Sequence, residues 1–567
     1  MTVNLYEKLS EERKQLQAQG LVPEWYSTAS WQMFKQKYLY GTDRAVKGQF
    51  ERIAKTAAKH LHGTKFEAKA EKKFFDLLWN GWLSPSTPVL ANMGTDRGMP
   101  VSCSGTYITD SVDGFYSNLH EVAILTKNGF GTASDLSDIR PRGTPISVGG
   151  KASGVLPVIK EHINSMRNIS QGASRRGAWA AYLDIEHGDF WEVVNYLNTE
   201  PDDFNIGFTI KQSFIDRLDS GEEEAVKRFQ KVMKTKMILG KGYFFFVDKA
   251  NAKRPAMYVD KGLNIRNSQL CSEIMLFNDE EHTYTCVLSS MNAAKYKEWG
   301  DTDAVYWATI FLDCVASEFV DKAKYINGLQ KAIRFTEKGR ALGLGLCGLH
   351  TAFMQEGFPF ESYEAYRLSQ EIQESIWNEA QKATKEMAVE LGEPEWCKGY
   401  GVRNTHLIAI APTKSTALLM GGISEGINPD PAMTFTQTTA AGEIDRVNPT
   451  LLDLMKRKGI YDKKHIQQIV DKQGSVQHVD WLTQEEKEVF KTAFEINQKA
   501  VVELASARSR FIDQWQSLNL FFAADEDPSW IAEVHEMAFK DPNILALYYV
   551  YTQAGVQASK GECEACQ

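Results

Sequence analysis

The sequence contains no run of about 18 consecutive apolar residues, so no membrane-spanning helix is expected. Its first stretch, MTVNLYEKLSEERKQLQAQG, is charged throughout and lacks the apolar centre of a secretory signal. Internal repeats and low-complexity tracts are missing as well. There is no excess of positive charge. Sixty-four Lys and Arg face 73 Asp and Glu, for a formal charge of -9. Nothing global draws such a chain to a nucleic acid polymer or an anionic membrane, so any phosphate it binds must meet a local site. Cysteine is scarce, with eight in 567 residues. Without a secretion signal these read as free thiols, metal ligands or redox catalysts rather than a disulfide scaffold. Metal-ligand spacing is absent too. VHEMAF opens like a zinc-protease HExxH, but Phe539 stands where the second histidine must be. Cys563 and Cys566 form a lone CxxC with no second pair of ligands, so no metal is expected in this chain. The absences together predict a cytoplasmic protein.

What is present changes character along the chain. Residues 1–83 read as a helical N-terminal region, with aromatic anchors in WYSTASWQMFKQKY and an amphipathic run in KFEAKAEKKFFDLLWNGWL. From about Ser84, short apolar segments alternate with Gly, Ser, Thr and Pro, and helical stretches such as SYEAYRLSQEIQESIWNEAQKATKEMAVELG lie between them. Mixed strand and helix signals over 84–551 predict an α/β architecture. ILALYYVYT reads as one last strand. Residues 552–567 have nothing to bury and are expected to be a flexible tail carrying Cys563 and Cys566. A dithiol on a tether suits thiol–disulfide exchange, although incidental cysteines in a tail fit the motif equally well.

GLGLCG (Gly343, Gly345, Gly348) matches the GxGxxG fingerprint, but the preceding FTEKGRA is too polar for the strand that a dinucleotide site requires. Close backbone packing is the expected role. NSQLCSEI places the Cys271 thiol two residues before Glu273 and two after Gln269. In an extended segment that spacing projects a thiol, a general base and an amide to one side. APTKSTALLM is a turn leading into an apolar helical run, where free N–H groups can meet an anion and Ser or Thr can cap the helix.

Taken in order, STPVLANMG, VSCSG, SQGASRRGA, NSQLCSEI, TCVLSSMN, RALGLGLCG, APTKST with GINP, and ALYYVYT with the CEAC tail resemble the large, catalytic subunit of class I ribonucleotide reductases. The resemblance implies a ten-stranded α/β barrel of two five-stranded halves over 84–551, with a central finger loop. Cys271 would sit at its tip as a transient thiyl radical that removes the ribose 3′ hydrogen, and Glu273 would take the 3′-hydroxyl proton. Cys103 and Cys286 would deliver reducing equivalents and end as a disulfide, re-reduced by Cys563 and Cys566. The family usually has Asn where this chain has Gln269, so the amide's hydrogen bond must be re-aimed or pass to Asn267. Tyr548 and Tyr549 resemble the pair that passes a radical inward from a small subunit.

Further residues follow by the same likeness. Thr87, Ser102, Thr413, Lys414, Ser415 and Thr416 match phosphate contacts of the substrate, with Lys414 unusual for the family. Asp110 and Arg140 resemble contacts of the effector site, which takes deoxynucleotides or ATP at a dimer interface. Gln171 and Arg175 lie in the loop that carries the effector signal. Ser147 stands where a further basic residue is expected, and no ATP-cone-like motif precedes the barrel. The implied cofactor is a metal-containing radical centre in the small subunit, with none bound in this chain. The implied partners are that subunit, thioredoxin or glutaredoxin, a second copy of the chain, and a nucleoside diphosphate.

Two other readings use the same residues. An adenosylcobalamin-dependent, class II reductase would share the cysteines, and the tyrosine pair argues against it. An inactive nucleotide-binding regulator with the same fold would explain Gln269 and Lys414. Glycyl-radical reductases fit less well, because the tail lacks their glycyl motif and zinc cysteines.

Overall fold

The computed structural model describes residues 5–553, apart from 42, 102, 148, 172–174, 177 and 440–441. The chain opens with helices Leu5–Ala18, Thr28–Met33, Val46–Ala58 and Glu67–Trp79. Val46, Phe50, Ile53, Ala54 and Ala57 form one buried stripe on the third of these, the pattern of a helix packed on one face. Ser27 and Ser30 cap the second helix reciprocally, which fixes where it begins. Trp25 then donates from its indole to the Trp79 carbonyl at 2.8 Å, at the end of the fourth helix, and the chain's first strand, Leu83–Pro85, follows.

Five strands run parallel in the next part: Cys103–Tyr107, Gly131–Asp135, Trp179–Asp184, Asn205–Ile210 and Tyr243–Phe246. A second parallel set begins with Leu288–Asn292 beside Gly343–Cys347. It continues through bridges from Leu344 to Ile408 and from Ile410 to Gln516. It ends with Leu520–Phe522 beside Val550–Thr552. The two halves meet antiparallel at both edges. Tyr284–Cys286 pairs with Cys103–Gly105 at one seam, and Ala546–Leu547 pairs with Phe244–Phe245 at the other. The ring closes as the ten-stranded α/β barrel expected from the sequence.

GLGLC is itself a barrel strand. A Cβ on Gly343 would lie 2.4 Å from Leu288, and one on Gly345 2.7 Å from the Ala409 carbonyl oxygen. The glycines serve neighbouring strands, as expected from the polar lead-in. The ILALYYVYT segment differs from the single strand expected. It forms Ala546–Leu547 and Val550–Thr552, with Tyr548 and Tyr549 between them. The reason is that it pairs with a different half on each side of the tyrosines, antiparallel to one and parallel to the other.

Helix Ala304–Ala323 is buried on nearly every face. Its most deeply buried acid, Asp313, is 2% exposed and receives hydrogen bonds from Arg340 Nε at 2.7 Å and Asn404 Nδ2 at 2.9 Å. The Arg340 and Arg403 guanidinium groups and these bonds hold its carboxyl below the ordinary range despite burial. Removing one member of such a pair leaves a buried charge uncompensated. Asp313→Ala is therefore expected to lower the unfolding free energy by about 3–5 kcal/mol, read as a fall in the denaturant midpoint.

Candidate active site

The chain between 265 and 278 leaves the wall and passes through the barrel interior, buried at every position but Arg266. Asn267, Ser268, Gln269, Leu270, Cys271, Ser272 and Glu273 are all buried. A buried loop must find partners for its backbone. Both halves of the barrel supply them. From the first half, the Tyr182 hydroxyl donates to the Gln269 carbonyl at 2.7 Å. From the second, the Trp515 N–H donates to the Glu273 carbonyl at 2.9 Å, and Ser517 lies 2.6 Å from the Cys271 carbonyl. Met275 N–H reaches Gln514 Oε1 at 3.2 Å.

Ser272 has φ 67°, so the tip is a left-handed turn rather than an extended run. Gln269, Cys271 and Glu273 therefore converge through the turn, not through strand alternation. Burial raises the Glu273 carboxyl from 4.5 to about 7, countered in part by the Gln269 amide and the Ser517 hydroxyl. Ser517 Oγ is 2.9 Å from Glu273 Oε2 as well as 2.6 Å from the Cys271 carbonyl. A hydroxyl carries one proton. When Glu273 is protonated it donates to Ser517, which donates onward to the carbonyl, and both contacts are made. When Glu273 is ionised, Ser517 can satisfy only one of them at a time. This wiring agrees with a carboxyl that holds its proton up to neutrality.

Cys103 and Cys286 stand directly opposite each other across the antiparallel seam. Such pairs have Cα atoms about 4.5–5.5 Å apart, inside the range that a disulfide spans. Both are buried free thiols. Burial, contact with Cys103 and the nearby Glu273 raise the Cys286 thiol well above its ordinary value, so it keeps its proton.

On the other side of Cys271, the Tyr548 hydroxyl donates to Sγ at 3.6 Å. The Tyr549 ring lies behind it, with centroids 4.2 Å apart and planes tilted by 52°. Tyr243 touches both rings and donates its hydroxyl to that of Tyr549 at 3.2 Å. Lys236, fully buried, donates to the Tyr548 carbonyl and to the Gly242 carbonyl, each at 2.8 Å. Burial lowers its ammonium to about 7.

The remaining expected residues lie elsewhere around the barrel. Thr413, at φ 58°, precedes the short helix Lys414–Leu419, and its hydroxyl accepts from the Gly426 N–H at 2.9 Å. Ser415 and Thr416 are in that helix, and Lys414 Nζ lies over the Tyr551 ring. Thr87 opens helix Thr87–Asn92, with its hydroxyl 3.1 Å from that of Tyr38. Asp110 and Arg140 form an ion pair. Gln171 and Arg175 are in backbone register across a two-stranded hairpin. Ser102, Cys563 and Cys566 lie outside the described residues. Among the described residues, no group of three or more His, Cys, Asp or Glu could hold a metal ion, and no helix is long and apolar enough to cross a membrane.

A model of the ribonucleotide reductase all-alpha domain matches residues 24–98, and one of the barrel domain matches 101–228, 222–398 and 394–550. The chain belongs to the ribonucleotide reductase large-subunit family. A protein of Frog virus 3 (isolate Goorha) is 33% identical over 90% of this chain and 94% of its own length. The ribonucleoside-diphosphate reductase large subunit of Invertebrate iridescent virus 3 is 28% identical over 84% of this chain and 87% of its own. The solved Actinobacillus ureae class Id ribonucleotide reductase alpha subunit is 34% identical, with a TM-score of 0.86 over 95% of this chain and 99% of that one. The family and fold expected from the sequence are borne out.

Ser517, Tyr182, Tyr243 and Lys236 escaped the sequence reading. Each reaches the candidate site from a segment with no motif of its own, and the strands of the two wall tyrosines are buried at every position, so no alternation marks them.

The Glu273 carboxyl has a testable effect on stability. Between about pH 4.5 and 7 the folded chain holds a proton that the unfolded chain releases. Its contribution favours folding fully below about 4.5 and is lost as pH rises through about 7. Glu273→Gln is expected to raise the melting temperature relative to the parent by about 2 °C more at pH 8 than at pH 5, measured by calorimetry.

Proposed function

We propose that this large subunit of a ribonucleoside-diphosphate reductase works by class I chemistry, with a small subunit as the source of its radical. The observation that carries the reading is the contact of the Tyr548 hydroxyl with Cys271 Sγ, backed by Tyr549. A tyrosine pair leading to the thiol is of no use to a cobalamin cofactor that generates the radical beside its own thiol. The metal-containing cofactor of the small subunit supplies the oxidising equivalent. Tyr549 and Tyr548 relay it, and the Cys271 thiol becomes a thiyl radical.

Cys271 then takes the ribose 3′ hydrogen, and Glu273 takes the 3′-hydroxyl proton. The 2′-hydroxyl leaves as water with a proton from the Cys103–Cys286 pair. The pair passes its second hydrogen to the 2′ carbon and closes as a disulfide, Glu273 returns its proton to the 3′ oxygen, and Cys271 returns hydrogen to the 3′ carbon. A general base whose pKa lies near 7 is poised to accept and return a proton at neutral pH. The buried, closed interior keeps water and stray reductants from the radical. Gln269 orients the ribose, while Thr87, Ser102 and the 413–416 turn, including Lys414, receive the diphosphate. Cys563 and Cys566 pass electrons from thioredoxin or glutaredoxin. Asp110 and Arg140 take a deoxynucleotide or ATP at the interface of a homodimer, and Gln171 and Arg175 relay that signal.

Turnover of CDP with dithiothreitol is expected only when the small subunit is added, and not with adenosylcobalamin alone. Cys271→Ala, Tyr548→Phe and Tyr549→Phe are each expected to abolish it while leaving deoxynucleotide binding intact. Turnover by Cys271→Ala would overturn the mechanism, and cobalamin-driven turnover would remove the tyrosine relay.

A further inference from the structure

One buried side chain beside the thiol pair has no role in the chemistry above. Tyr284 precedes Cys286 by two residues, and its partner Gly105 follows Cys103 by two. Alternation puts Tyr284, Cys286, Cys103 and Gly105 on one face of the sheet. The other face belongs to the outer helices: there Thr106 meets Ser134, and Ser134 donates to Asn118 of helix Val112–Lys127. The Tyr284 ring thus faces the barrel interior with the two thiols.

The ring lies across Gly105. A Cβ at that glycine would come within 1.9 Å of Tyr284 Cζ and 2.2 Å of its hydroxyl oxygen. Only glycine leaves room for this ring, so the phenol is held in one place. Tyr284 is 0% exposed, and its hydroxyl has no hydrogen-bond partner among the described residues. Burial and the negative charge that Cys286, Tyr182, Cys103 or Glu273 would carry when ionised all resist its ionisation, so it stays a neutral donor. Tyr182 shows the contrast. It also lies over a glycine, Gly207, but its hydroxyl is committed to the finger loop.

We propose that the Tyr284 hydroxyl is a substrate-contacting group, donating a hydrogen bond to the ribose 2′ oxygen of the bound nucleoside diphosphate. The assignment rests on the reading above that Cys103 and Cys286 face the 2′ position. A fixed neutral donor there meets an oxygen that the substrate has and the deoxy product lacks. The same hydrogen bond orients the leaving hydroxyl toward the thiol pair. It also makes the site favour substrate over product.

Binding separates this role from a structural one. In the full-length Cys271→Ala chain, which holds substrate without turning it over, CDP is expected to bind about tenfold more tightly than dCDP on account of this one contact. Adding Tyr284→Phe keeps the ring over Gly105 and removes only the hydroxyl. CDP affinity is then expected to fall about tenfold, with dCDP affinity and melting temperature unchanged. Equal losses for CDP and dCDP, or no loss for either, would overturn the proposal. Should Tyr284→Phe fail to fold, Tyr284→Leu, read by the same CDP-to-dCDP ratio, keeps the question open to refutation. Cys286→Ser in the otherwise intact chain tests the supporting reading by itself. Repeated CDP turnover by that variant would remove the thiol pair from the mechanism, whatever the Tyr284 result.

Discussion

A polar loop threaded through the middle of a barrel stands or falls on its backbone hydrogen bonds, because no bulk water reaches it to supply them. Here the loop that carries Cys271 is held from both walls, by Tyr182 of one half and by Trp515 and Ser517 of the other. The position of the thiol is thus defined only when both halves are in place and in register. This explains why the antiparallel seams matter so much. They set the distance between the walls, and that distance sets where the tip can sit.

The groups around the tip share an electrostatic character. Burial discourages charge on the Glu273 carboxyl, the Cys286 thiol, the Tyr284 phenol and the Lys236 ammonium alike. A low-dielectric interior with few fixed charges suits hydrogen-atom and proton movements, which shift little net charge. It also gives each neutral donor a definite direction. The polar groups here therefore act through geometry more than through field strength.

Much of this was legible in one sequence, and the limits are physical. The NSQLCSEI segment, the glycine run and the order of the motifs are local signals, and local signals survive without a fold. The α/β alternation and the long helix Tyr363–Leu391 were readable for the same reason. Ser517 was not, because its partners Cys271 and Glu273 lie some 240 residues away and WQSLN has no distinguishing chemistry. Lys236 looked like any lysine near a helix end, since its contact with the Tyr548 carbonyl exists only once the barrel closes. The turn at Ser272 and the break at Tyr548–Tyr549 depend on which strands pair, which periodicity along one segment cannot reveal.

The placement of Cys103 opposite Cys286 has a mechanical side. The two residues belong to different halves of the barrel and meet on the seam between them. A bond formed there is a cross-link between the halves, closing a long loop of chain and removing conformational freedom from the unfolded state. Under the chemistry proposed above, each catalytic cycle would alternate between a stapled and an unstapled barrel. The resting oxidised protein would be the harder of the two to unfold, and reduction would prepare the chain for its next substrate while loosening its own frame.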